Sequence, residues 1–118
     1  MLDKMSMSLL GLVALLLSAP SLAVGGPPTQ SACSVTATSS SCLAANGGRA
    51  YLSLQNISDA VIYCSTDGQA ASTSHGYYIA ASGAVAWWDI EPTVPKTQIN
   101  CMYDGGSTKT LIVTEQTQ

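Results

Sequence analysis

The chain has 118 residues, of which only 9% are charged, and a formal net charge of −3. That length allows one small domain. Its four Lys and Arg are too few and too scattered to neutralise a run of phosphates, which excludes a nucleic-acid partner.

The N-terminus carries Lys4, an aliphatic run over residues 9–17, and Ser21-Leu22-Ala23. A positive n-region, an apolar h-region and small residues at the cleavage positions make up a secretory signal peptide. Residues 1–23 are therefore expected to form a hydrophobic leader helix that is cleaved after Ala23. The alternatives are a retained anchor or a buried N-terminal arm. As a helix the unbroken run reaches only about 13 Å, against about 30 Å of hydrocarbon, so the chain meets a membrane only through an uncleaved leader. Export is expected, to a periplasm, the extracellular space or a virion surface.

Residues 24–32 (VGGPPTQSA) combine two glycines with two prolines and read as an extended arm. Residues 33–118 read as a disulfide-stabilised β domain. Strands are expected at residues 34–38, 49–56, 61–64, 76–80, 84–90, 97–103 and 108–115. The clearest is RAYLSLQN (49–56), where Ala50, Leu52 and Leu54 alternate with Tyr51, Ser53 and Gln55. Asp67-Gly68, Ser82-Gly83 and Asp104-Gly105-Gly106-Ser107 punctuate the run as turns. The fold class is all-β, a small antiparallel β-sandwich or barrel of about seven strands. One short helical turn fits near residues 43–46. With no Phe in the chain, the aromatic share of the core falls to Trp and Tyr.

In an exported chain, four cysteines imply two disulfides, for which three connectivities exist. Cys33 and Cys42 flank a short local loop. Cys64 and Cys101 lie in expected strands. The favoured pairs are Cys33–Cys42 and Cys64–Cys101. The Cys spacings match no zinc pattern and there is one histidine, so no metal and no cofactor is expected.

Candidate chemistry is thin. Ser74, His75 and Asp89 supply the residue types of a triad, but adjacent residues do not present nucleophile and base to each other, and no nucleophile elbow is present. Asp89 and Glu91, two apart, share a face if the strand runs that far, the arrangement of a glycosidase pair or a cation site. Asp67 and Asp104 suit self-capping Asp-Gly turns. No catalytic residue is assigned, and the chain is read as not an enzyme. Asn56-Ile57-Ser58 matches a glycosylation acceptor and is read as chance. Trp87 and Trp88 are the most distinctive side chains. In a strand they face opposite ways, one toward the core and one toward solvent or a partner. With Tyr77 and Tyr78 they form the candidate binding set, suited to a protein contact or to sugar stacking.

The stretch AANGGRAYLSLQNISDAVIYCSTDG resembles a pattern found in small phage virion proteins. In both, an Arg (Arg49) precedes an apolar strand (residues 51–54) ending in Gln-Asn (Gln55-Asn56). An Ile-Tyr strand (residues 61–63) and a Gly turn (Asp67-Gly68) follow. Beyond it, residues 76–83, 91–95 and 111–115 resemble the family's Gly-bounded strand, proline loop and final strand. The resemblance covers residues 45–115. It implies a β-sandwich that decorates capsids or builds fibres and spikes, acting without catalysis as a homo-oligomer or on a capsid or surface lattice. The expected function is thus a structural or interaction module that docks onto a protein partner. The alternative is an exported carbohydrate-binding module that takes a glycan through its Trp and Tyr. A small hydrolase built on His75, Asp89 and Glu91 is a remote third.

Overall fold

The computed structural model describes residues 26–118; the expected leader and the first two arm residues lie outside them. Eight strands follow in chain order: β1 Thr29–Val35, β2 Ser40–Leu43, β3 Arg49–Asn56, β4 Ile62–Ser65, β5 Tyr77–Ile79, β6 Ala84–Trp88, β7 Ile99–Met102 and β8 Lys109–Thr117. No helix occurs among the described residues, so the turn expected near residues 43–46 does not form.

The pairing has a simple rule. β1 pairs with β8, β2 with β7, β3 with β6 and β4 with β5, all antiparallel. This is one long ribbon whose tip is the β4–β5 connection. The ribbon is rolled so that β8 also meets β3 and β7 also meets β4. Two four-stranded sheets result: β1-β8-β3-β6, here sheet I, and β2-β7-β4-β5, here sheet II. Eight strands rolled into two facing sheets make a jelly-roll sandwich.

There is one strand more than the sequence reading expects. The addition is β2, whose SSCL has no apolar alternation to announce it. β1 also begins at Thr29, inside the expected arm, and residues 36–38, expected as strand, form a bend instead. There the Tyr103 backbone N–H donates to the Thr36 carbonyl at 3.1 Å. Strand β6 stops at Trp88 rather than at residue 90.

The core is aliphatic. Val35, Leu52, Leu54, Ile62, Ile79, Val94, Ile99, Leu111 and Val113 are buried with Cys64, Cys101 and Tyr103. Each such aliphatic side chain contributes about 1.5–3 kcal/mol on burial. Tyr103 is buried within it and Trp88 packs partly buried against it, so Trp and Tyr supply its aromatic share. The branched aliphatics along β3, β4 and β8 fill most of the gap between the sheets.

Two devices join the layers and a third braces sheet II. Cys33 on β1 is bonded to Cys42 on β2, with Cα atoms 5.3 Å apart. This bridge ties the sheets along one open side. Cys64 is bonded to Cys101, its register partner on the neighbouring strand of sheet II. Along the other open side, the Tyr77 ring of β5 meets the Trp88 ring of β6 edge-on, centroids 5.1 Å apart at 79°. On the chain-entropy model the longer disulfide loop contributes about 4 kcal/mol and the shorter about 2.5 kcal/mol. Two disulfides are what an oxidising compartment permits.

Both ends of β3 are anchored by buried polar side chains. The fully buried Arg49 guanidinium donates from Nε to Glu115 Oε2 at 2.9 Å, from one terminal nitrogen to the Pro95 and Thr97 carbonyls at 2.6 and 3.0 Å, and from the other to the Ala44 carbonyl at 2.8 Å. Asn46 Nδ2 also reaches Glu115 Oε2, at 3.2 Å. At the far end, buried Asn56 donates to the Ala60 and Ile79 carbonyls at 2.7 and 2.9 Å and accepts from the Ser58 backbone N–H at 3.0 Å. The Arg and Asn that carry the family resemblance are thus structural anchors in this chain.

Removing one member of a buried pair strands the other charge, at about 3–5 kcal/mol. An exposed pair is worth under about 1 kcal/mol. Glu115→Ala is therefore expected to cost about 3–5 kcal/mol in denaturant unfolding, and Glu91→Ala, which breaks the exposed Lys96–Glu91 pair, under about 1 kcal/mol. Equal losses would contradict this ranking.

Candidate interaction surface

Sheet I presents one face to the core and one outward, and its register fixes who stands beside whom. Leu52 and Leu54 of β3 point inward; Tyr51, Ser53 and Gln55 point outward. Trp87 pairs with Ser53, which pairs with Thr114, which pairs with Gln30. The next row out is Val85, Gln55, Ile112 and Ala32, and Tyr51 pairs with Gln116. These rows contain no Asp, Glu, Lys, Arg or His. The outer face of sheet I is uncharged, built of hydroxyls, amides and small apolar groups, with an indole at one margin. Trp87 is 61% exposed and Val85 42%.

The charges lie elsewhere. Lys96 pairs with Glu91, and Lys109 Nζ with Asp59 Oδ1 at 2.7 Å. The hydrogen bond from Lys109 holds the Asp59 carboxyl below its ordinary value. With Arg49 inside against Glu115, every Lys and Arg among the described residues has a carboxylate partner.

The four candidate binding residues do not form one platform. Trp87 stands on the outer face of sheet I. Trp88 turns inward, packs against the core and meets Tyr77 at the open side. Tyr78 lies on the outer face of sheet II, edge-on to its register partner Tyr63 with centroids 5.7 Å apart. The two indoles thus divide between core and solvent. The sequence reading does not single out Val85, Ser53, Gln55 or Ile112. Alternation already faces Ser53 and Gln55 outward, but only the long-range register sets them beside Trp87.

The polar loop between β4 and β5 carries a second feature. His75 Nε2 lies 2.8 Å from Asp67 Oδ2. The Gln69 backbone N–H donates to Asp67 Oδ1 at 3.0 Å. A pocket of about 250 Å³ opens here, lined by Ser65, Thr66, Asp67, His75, Gly76 and Tyr77. Gly76 permits the close packing: at φ +141° a Cβ would stand 2.9 Å from the Cys64 carbonyl carbon and oxygen. The carboxylate that His75 meets is Asp67, not Asp89. Among the described residues no Ser, Thr or Cys side chain hydrogen-bonds the imidazole. Because β6 ends at Trp88, Asp89 and Glu91 do not share a strand face, and Glu91 is engaged by Lys96. Among the described residues no three His, Cys, Asp or Glu gather to hold a metal ion.

Comparison with family models, with curated proteins and with solved structures finds no match to this chain.

Two outcomes follow from these positions. Trp88→Ala is expected to destabilise by about 3 kcal/mol, since it empties the seam between the sheets, and Trp87→Ala by under about 1 kcal/mol; chemical denaturation of both variants decides. The Gln69 N–H, and after it His75, hold the Asp67 carboxyl below its ordinary value of 3.8. A depressed folded pKa gives stability that is full above the unfolded pKa and lost as pH falls through the folded one. The protection factor of the Gln69 amide, which divides out the intrinsic pH dependence of exchange, should therefore be unchanged by this group from pH 7 to 5 and fall only below about pH 4. In an Asp67→Asn variant that acid transition should vanish.

Proposed function

We propose that this protein is a non-enzymatic structural module, exported or carried on a virion surface, that docks onto a protein partner through the outer face of sheet I. The observation that supports this best is the uncharged face with an exposed Trp87 at its margin. The cores of protein interfaces are depleted in charged residues and enriched in aromatics, and Trp is among the residues enriched at energetic hot spots. The jelly-roll order favours the reading at the level of architecture, since that sandwich serves in viral shells and in lectins, but a fold does not by itself decide function. The two disulfides support an exported setting. Among the described residues the His75 side chain hydrogen-bonds only the Asp67 carboxylate, which gives no support to hydrolysis.

A second reading is favoured by Trp87 and its surroundings. An indole beside Ser53 and near Gln55 offers a ring for stacking on a sugar and hydroxyl and amide groups for its edges. On that reading this face of the jelly roll takes a glycan.

One comparison separates the two. Quantitative proteomics of purified particles and cell envelopes should find the protein at a fixed copy number on one of them. Trp87→Ala should reduce its retention about 30-fold, the equivalent of the roughly 2 kcal/mol of an anchor residue. Absence from both fractions would sink the docking reading. A glycan-array signal that Trp87→Ala abolishes would replace it with the second.

A further inference from the structure

We infer that β6 is a self-pairing edge through which two copies of this chain join their sheets I, with a two-fold axis passing by Ala86. The inference rests on the reading of sheet I as the docking layer and names the partner at its margin.

The sandwich has four edge strands, and three of them are protected. β5 has three residues. β2 has four, with a register shift between Ser41 and Leu43. β1 follows Pro27-Pro28, is polar and small along TQSACSV, and is tied down at Cys33. Short length, bulges and proline are the usual means of blunting an edge. β6 has none of them. AVAWW carries no charge, proline or glycine, its register with β3 is unbroken, and Val85 and Trp87 are exposed. Among the described residues, no backbone group of Ala84–Trp88 hydrogen-bonds outside the ladder with β3. An apolar edge of this kind is a template for a further strand.

The strand complements itself. An antiparallel pair centred on Ala86 sets Ala84 opposite Trp88 of the second copy, Val85 opposite Trp87 and Ala86 opposite Ala86. Each indole meets a smaller side chain, and the Val85–Trp87 contact is a favourable cross-strand pair of β-branched and aromatic residues. Charge agrees. The same register puts Asp89 opposite Gly83 of the second copy and six residues from its own twin, about 20 Å away along the strand. That is more than twice the screening length of about 8 Å at physiological salt. Area sets the strength. An indole exposed as Trp87 is removes about 150 Å² from water in each copy. With Val85, the four side chains bury about 400–500 Å², far below the roughly 1,200 Å² of a lasting complex. The dimer should be weak and reversible, suited to an array in which many contacts act together.

Sedimentation velocity on the disulfide-bonded chain, from about 10 µM to 1 mM, tests this. The wild type should pass from monomer to dimer within that range. Val85→Lys and Trp87→Glu change exposed side chains, and each should weaken the dimer at least tenfold. Tyr78→Lys, on the outer face of sheet II, should leave it unchanged. Mixing Val85→Lys copies with Trp87→Glu copies should restore the dimer, because the proposed register sets Lys against Glu once per pair. A chain that stays monomeric at 1 mM, a dimer indifferent to Val85→Lys, or a mixture that fails to recover would each overturn the inference. Monomers that still attach to particles would overturn the self-pairing and leave the docking reading standing. Dimers found with no attachment would do the reverse.

Discussion

A guanidinium with no solvent exposure is the constraint around which this sandwich is built. Taking a charge out of water costs several kcal/mol unless its donors find partners. Arg49 finds them in four places: Glu115 on β8, the carbonyls of Pro95 and Thr97 ahead of β7, and the carbonyl of Ala44 after β2. One side chain thereby sets the position of β3 against β8 and fixes two loops at the same end of the roll. Asn56 repeats the device at the other end of β3 with the Ala60 and Ile79 carbonyls. This inner strand is pinned at both ends by groups that have no satisfactory alternative place.

This use of charge explains the surface. Among the described residues one cation is buried against Glu115 and the other two are engaged by Glu91 and Asp59, so no cation is left to stand on the outer face of sheet I. Proteins of this size bury little more than about 60% of their unfolded surface, so the core alone leaves a narrow margin. The disulfides widen it by restricting the unfolded chain, which frees surface positions from any need for stabilising ion pairs. A neutral, hydroxyl-rich exterior is compatible with stability here because stability is secured inside.

What was legible in the sequence was local. The alternation of RAYLSLQN placed Leu52 and Leu54 inside and Ser53 and Gln55 outside, and the all-β class followed from the spacing of turns. Adjacent Trp87 and Trp88 in a strand had to face opposite ways, and they do. What was not legible was long-range. Nothing in SSCL announces a strand, because β2 gains its place from pairing with β7 rather than from apolar alternation. Asp89 and Glu91 read as a pair only while β6 is assumed to continue, and the chain leaves the sheet at Trp88. The partner of His75 was missed because Asp67 has a sufficient role as a turn residue; that it also meets an imidazole eight positions on depends on the folding back of the loop. The split of Trp87, Tyr77 and Tyr78 among three surfaces could be read only once the sheets were assigned, since β5 and β6 are successive in the chain but belong to different layers.

The two open sides of the sandwich are closed by different means, and the difference bears on function. Between β1 and β2 the closure is covalent. Between β5 and β6 it is a Tyr77–Trp88 contact, worth about 0.5–1.5 kcal/mol beyond the area it buries. Local opening follows the least costly route, so the β5–β6 side is where the layers part first. That is also the side whose outward neighbour is Trp87. Since Trp88 and Trp87 are successive residues of one strand, a partner that added hydrogen bonds to the free edge of β6 would hold the strand that carries both indoles. It would therefore tighten the inner seam as it occupied the outer margin. A docking edge placed on the covalently closed side would have had no such coupling. On the proposed reading, the strand that takes a partner is also the one whose packing that partner completes.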